Sequence, residues 1–207
     1  MPIAQAVSTF TAKSAQCADL IASAHRVDAG GAALFPLLDR EQITVAGFLN
    51  LFVAWEGFLE SAFSHLMTGA PTLSGSQPVR YASPPSLEAA QQMLIGANRY
   101  FDFSNHELVR KMARLYFQNS YPFEPHLSAV ATDLADLRTM RNASAHISTT
   151  TQRALEALAQ RIFGAPQPSI ALYTMLTRVD PRSATGNTVF AEASNKLLAT
   201  AQLIAQG

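Results

Sequence analysis

The sequence predicts an all-α protein, on three observations: apolar residues recur at gaps of three and four, strand-like alternation is nearly absent, and Pro, Gly and Ser gather in a few breaks. A chain of 207 residues fits a single all-helical domain, residues 1–207, able to bury a real core. Its 48% hydrophobic and 14% charged residues describe a sparsely charged surface, part of which is expected to meet another subunit. Basic and acidic side chains cancel at 15 each. That balance argues against coating nucleic acid or a membrane by bulk charge and leaves only local contact with nucleic acid. Cys17 is the single cysteine, so no internal disulfide or multi-cysteine zinc site can form, and a small core residue is its expected role. The N-terminal MPIAQAVSTFTAKSAQ lacks the basic-then-apolar order of a signal peptide, and no apolar run is expected to reach the length of a membrane span. A cytoplasmic protein with no membrane contact is the expectation.

The elements follow in order. A first helix is expected over residues 2–26, ended by the DAGG turn at 28–31, with a short apolar segment at Leu34 to Leu38 after it. A long helix over 41–68 carries Phe48, Phe52, Trp55, Leu59, Ala62 and Leu66 at gaps of three and four, a buried stripe rich in aromatics. Residues 69–86, GAPTLSGSQPVRYASPPS, must form a connection rather than a helix. Helices are expected over 87–98 and 104–118, the second capped by Ser104 with Glu107 three residues on. YPFEP at 121–125 then turns the chain into a helix running to residue 148, followed by helices over 150–162 and 188–205. Between these last two, helix and strand readings compete over 164–190.

The helix to residue 148 changes character near its end. Leu127, Val130, Leu134 and Leu137 lead by the same spacing to Arg141, where a fifth hydrophobe is due. A buried unpaired guanidinium would cost several kcal/mol, by order of magnitude, so Arg141 needs a carboxylate partner or a cleft. Asn142 and His146 are four apart and share a helix face, with Arg141 about 100° round from Asn142. A histidine can exchange protons near neutral pH, an arginine can stabilise charge on phosphate oxygens, and an asparagine can orient either. These are the groups that metal-free RNA cleavage needs. One histidine cannot comfortably serve both the attacking 2′-OH and the departing 5′-oxygen, whereas a twofold dimer would supply two.

Arg141, Asn142 and His146, as R-N-x-x-x-H near the end of a helix in an all-helical chain, resemble the signature of the HEPN superfamily. In that family an arginine is followed by a polar residue and, four to six positions after the arginine, by a histidine. FLNLFVAWEGFLESAF is similar to the first core helix of several HEPN groups, which often carries an acidic residue facing the motif helix. The resemblance covers about residues 40–165. It implies an up-and-down helical bundle with additional N- and C-terminal helices, a composite site in a homodimer, and metal-independent, cofactor-free endoribonuclease activity in a toxin–antitoxin, defence or RNA-processing setting. An antitoxin or another defence-system protein would be the partner besides RNA. The family also contains members that bind a nucleotide or a partner without cutting.

Each candidate has a plainer alternative. Arg141 could bridge to Glu56 or Glu60 while His146 caps the last helix carbonyls. Glu56, at the edge of the aromatic stripe, suits an inward arginine better than Glu60 and is assigned a supporting role, otherwise remaining a solvated carboxylate. Arg138, one turn before Arg141, could share phosphate binding or form an exposed salt bridge. Arg110, Lys111 and Arg114 form the densest basic cluster and are candidate RNA contacts or a solvated face. Arg99 with Tyr100 and Phe101 could stack on bases, although core packing is the favoured expectation for the two aromatics. His25, His65, His106 and His126 lack metal-ligand spacing, so no metal site is expected. TGN at 185–187 reads as a turn.

Overall fold

The computed structural model describes residues 2–96, 99–145 and 148–207. The described chain is all-α, with nine α-helices, 68% helical content and no strands. The helices are α1 (Pro2–Ala24), α2 (Leu37–Met67), α3 (Leu87–Ile95), α4 (His106–Tyr116), α5 (Phe123–Ala129), α6 (Ala131–Ala145), α7 (Thr149–Phe163), α8 (Leu172–Thr177) and α9 (Val189–Gln206). Residues 164–190 thus hold a short helix, together with an isolated antiparallel bridge between Val179 and Thr188. Contacts gather into two compact units: Met1–Ala12, Ala54–Leu134 and Leu197–Gly207 form one, and Lys13–Val53 with Ala135–Lys196 the other.

The aromatic stripe of α2 is buried throughout, with Phe48, Phe52, Trp55, Leu59, Ala62 and Leu66 all nearly inaccessible. In the first unit Trp55 and Phe58 pack around Phe10 at centroid distances of 5.7–5.9 Å. Phe63 stacks on Phe123 at 4.6 Å and meets Phe117 edge-on at 5.2 Å. Such pairs add about 0.5–1.5 kcal/mol each beyond the area they bury. By length and composition α2 could also cross a membrane: its most apolar 18-residue window has a mean hydropathy of 1.3, with half of it buried in the protein. The expectation that nothing in the chain approaches a span is corrected there, because the aromatic core stripe and the apolar flank sum within one window.

The connection over 69–86 belongs to the first unit and is tied down along its length. Arg80 Nη1 donates to the carbonyl of Met67 at 2.9 Å, completing the open end of α2. Gly69, at φ +99°, lies against that guanidinium so closely that a Cβ would come within 2.8 Å of it. Leu73 N–H donates to the Ala205 carbonyl, Tyr81 N–H to that of Tyr116, and Gln118 N–H to that of Val79, at 2.8–2.9 Å.

In the second unit α1 and α2 approach closely where Gly47 leaves room: a Cβ there would meet Ile21 Cγ1 at 2.8 Å. The buried Ser14 and Ser194 hydroxyls bond each other at 2.8 Å, joining α1 to α9. Asp28 closes the turn after α1 by accepting from the N–H groups of Gly30 and Ala32 at 2.8 and 2.9 Å. Cys17 is buried, as expected, and burial raises its thiol above the ordinary range.

Two local expectations are corrected. Ser104 does not cap α4: its hydroxyl and N–H both donate to Asp102, and the cap is Asn105, whose side chain accepts from Leu108 N–H at 3.3 Å. Asn is as good a cap as Ser, and the Asx turn ahead of it had already engaged Ser104. The chain from 126 onward is also not one helix. Val130 leaves helical geometry (φ −116°, ψ 19°) and separates α5 from α6. Pro125 sits in the first turn of α5, where no intrahelical donor is lost.

Candidate functional site

The break at Val130 resets the helical register, and with it the setting of Arg141. On α6 the buried apolar series is Leu134, Leu137 and Met140, each about 3% exposed. Met140 therefore supplies the hydrophobe that the sequence reading missed at 141, and Val130 is only half-buried. Arg141 is not forced into a core: it stands half-buried beside Met140, four residues before the end of α6. Asn142 is half-buried next to it. Ser144 Oγ donates to the Arg141 carbonyl at 2.6 Å. His146 lies outside the described residues.

The end of α6 and the start of α7 are close by chain connectivity. Ala145 and the N-cap Ser148 are separated by three virtual bonds, at most about 11 Å. Ser148 and Thr151 form a reciprocal capping box, with Thr151 N–H donating to Ser148 Oγ at 3.2 Å and Ser148 N–H to Thr151 Oγ1 at 3.0 Å. No acidic residue occupies the first turn of α7, so its N-terminal partial positive charge is not offset there. The two helices are pinned together by Arg161 of α7, whose Nη1 donates to Asp136 Oδ2 of α6 at 3.0 Å while Nη2 donates to Oδ1.

The other predicted residues are spread over the chain. Arg138 stands half-buried one turn before Arg141. Glu56 is half-buried on the part of α2 that belongs to the first unit, where the neighbouring Glu60 accepts from Gln91 Nε2 at 3.0 Å. The basic cluster of α4 is divided. Arg110 is engaged by Glu124 of α5 through two bonds of 2.5 and 3.1 Å, while Arg114 lies 3.8 Å from the same carboxylate and Lys111 is exposed. The Arg110 hydrogen bonds hold the Glu124 carboxyl below its ordinary range.

Core packing holds for neither aromatic of the Arg99 cluster in full. Tyr100 is 73% exposed, and Phe101 is half-buried with its ring edge-on to Phe103 at 4.6 Å. Arg99, Tyr100 and Phe101 line a hollow of about 190 Å³ with Glu60 and Gln91. Among the described residues no group of three or more His, Cys, Asp or Glu side chains is placed to hold a metal ion.

The sequence reading missed a larger cavity, of about 430 Å³, in the second unit. Its walls come from α1, α2, α8 and α9 together with His25 and Thr188, and none comes from α6. The only sequence signal is a pair of small residues, Ala18 and Ala22, one turn apart on α1. Four separated segments converge there, which periodicity within any one of them does not reveal.

No family model matches the chain, and no curated protein or solved structure matches it.

Proposed function

We propose that this chain is a HEPN-like, metal-independent endoribonuclease acting as a homodimer. The observation that carries the reading is the setting of Arg141 and Asn142, both half-buried near the C-terminal end of α6, in a sequence that keeps the R-N-x-x-x-H spacing. An arginine half-exposed at a helix end can meet a phosphate, which a fully buried one could not. The unneutralised N-terminus of α7 adds a favourable field for an anion in the same neighbourhood.

In the reaction a base withdraws the proton of the ribose 2′-OH, the oxygen attacks the adjacent phosphorus, and an acid protonates the departing 5′-oxygen. The products are a 2′,3′-cyclic phosphate and a 5′-hydroxyl. His146 would serve as base or acid, with the partner copy's histidine in the complementary role. Arg141 would stabilise the equatorial oxygens, and Asn142 would position the substrate or the histidine. Arg138, Lys111 and Arg114 would contact the RNA backbone. A toxin or defence setting, an antitoxin-like partner and a cytoplasmic location belong to the same proposal.

The test is cleavage of a mixed RNA pool by the purified full chain in EDTA, with end-group analysis. Cyclic phosphate ends that disappear in His146→Ala support the reading. No cleavage, or cleavage unaffected by that substitution, overturns it.

A second reading has its own support. Leu34, Phe35, Leu37 and Leu38 are 39–63% exposed in close succession, and the surface carries few charges. An apolar face of this kind suits a non-catalytic helical module paired with a nucleotidyltransferase, ATPase or antitoxin.

A further inference from the structure

The 430 Å³ cavity of the second unit falls in the volume range of small-molecule sites, roughly 300–1,000 Å³. Its floor is formed by buried Thr44, Leu176 and Phe190, and its mouth by exposed Ala18, Ala22 and Asn195. No Lys, Arg, Asp or Glu contributes to the wall, so a net charge on a ligand would find no counter-ion there.

The polar groups of the wall narrow the chemistry further, because most of them are already engaged. His25 Nδ1 donates to the Ile21 carbonyl at 2.8 Å, which leaves Nε2 to accept from Tyr173 Oη at 3.2 Å. Thr177 Oγ1 donates to the Tyr173 carbonyl at 2.9 Å, and Thr188 Oγ1 accepts from Ala191 N–H at 3.2 Å. Ser194 is bonded to Ser14. Among the buried polar groups of the wall Thr44 is the exception: it is fully buried, and its hydroxyl has no hydrogen-bond partner. A buried hydroxyl left unsatisfied is costly, and a threonine on a helix could have bonded back to its own backbone. A free hydroxyl on the floor of an apolar cavity is satisfied when a ligand brings the missing group.

We infer that this cavity binds a small, neutral, largely apolar molecule whose one hydroxyl or carbonyl group reaches Thr44 Oγ1. The site is independent of the ribonuclease reading, since no residue of α6 lines it.

Fluorescence titration of the full chain with the neutral, carbonyl-bearing probe 6-propionyl-2-(dimethylamino)naphthalene tests this. One saturable site with blue-shifted emission is expected, and Ala191→Trp, which fills the cavity, should weaken it at least tenfold. If Ala191→Trp does not fold, as judged by thermal melting, Ala22→Phe at the mouth takes its place. In competition, 2-naphthol should displace the probe several-fold better than 2-methylnaphthalene, and Thr44→Val should level the two, as loss of one hydrogen bond requires. Absence of saturable binding, or a filled variant that binds like the parent, overturns the site. An undiminished preference for 2-naphthol in Thr44→Val overturns the role of Thr44. Arg141→Ala should bind the probe unchanged whatever it does to RNA.

Discussion

Arg161 holds Asp136 through two hydrogen bonds from one guanidinium, one of them at 3.0 Å, and this pair fixes α7 against the helix that carries Arg141 and Asn142. Asp136 is buried and Arg161 half-exposed, so the pair is only partly screened by water. Asp136→Ala should lower stability by about 1–2 kcal/mol, the upper part of the range for a charge-assisted bond being offset by solvent at the arginine. Urea denaturation of Asp136→Ala, Arg161→Ala and the double variant checks it. Additive losses would show that the pair contributes no coupling.

Arg141 and Lys are not equivalent at the proposed site. A guanidinium can present two parallel donors to a phosphate, whereas an ammonium offers a point charge. Arg141→Lys should therefore retain binding to RNA while cleavage falls by one to two orders of magnitude, about 1.4–2.8 kcal/mol of transition-state stabilisation. Single-turnover cleavage rates with separately measured affinities distinguish the two. Weaker affinity with an unchanged single-turnover rate at saturating protein would assign Arg141 to ground-state binding alone.

Burial holds the His126 and His65 imidazoles below the ordinary histidine range, and His126 Nε2 is buried without a hydrogen-bond partner. Such a histidine binds its proton more readily in the unfolded chain. Its contribution to stability is present above the unfolded value of 6.5 and declines as the pH falls below it. Urea midpoints should fall between about pH 7 and pH 5, and His126→Gln should flatten the decline. The same slope in the variant would contradict this.

Glu124 behaves in the opposite chemical sense with the same direction in pH. Arg110 keeps its carboxylate ionised to lower pH than in the unfolded chain, so the stabilisation is complete above the unfolded value of 4.5 and is lost as the pH drops towards the depressed one. Glu124→Gln should cost about 1 kcal/mol at neutral pH and almost nothing near pH 2. Paired melting curves at the two pH values provide the comparison.

The parts of the fold readable from the sequence are those where one segment carries its own answer. The α2 stripe from Phe48 to Leu66 announces its buried face by spacing alone. The DAGG turn and the Pro-rich breaks likewise follow from local chemistry. The break at Val130 was not legible, because LSAVATDL contains no Gly or Pro and tertiary packing decides the matter there. That break displaced the buried position from 141 to 140. The R-N-x-x-x-H spacing could be read directly, whereas the surroundings of Arg141 depended on the register of α6. Tyr100 lies between helices in either reading, and its exposure follows from tertiary packing that spacing alone does not give. The cavity floored by Thr44 required four segments to be brought together first.

The long Pro- and Gly-rich connection has a consequence for anyone cutting the molecule. Its composition resembles a linker between modules, yet Arg80, Leu73, Tyr81 and Val79 bond it to the end of α2, to α9 and to the close of α4. Limited proteolysis should leave these residues intact. Splitting the gene at this point would yield fragments that must find each other again to fold, with any side chain at position 69 strained by its φ of +99° and set against the Arg80 guanidinium.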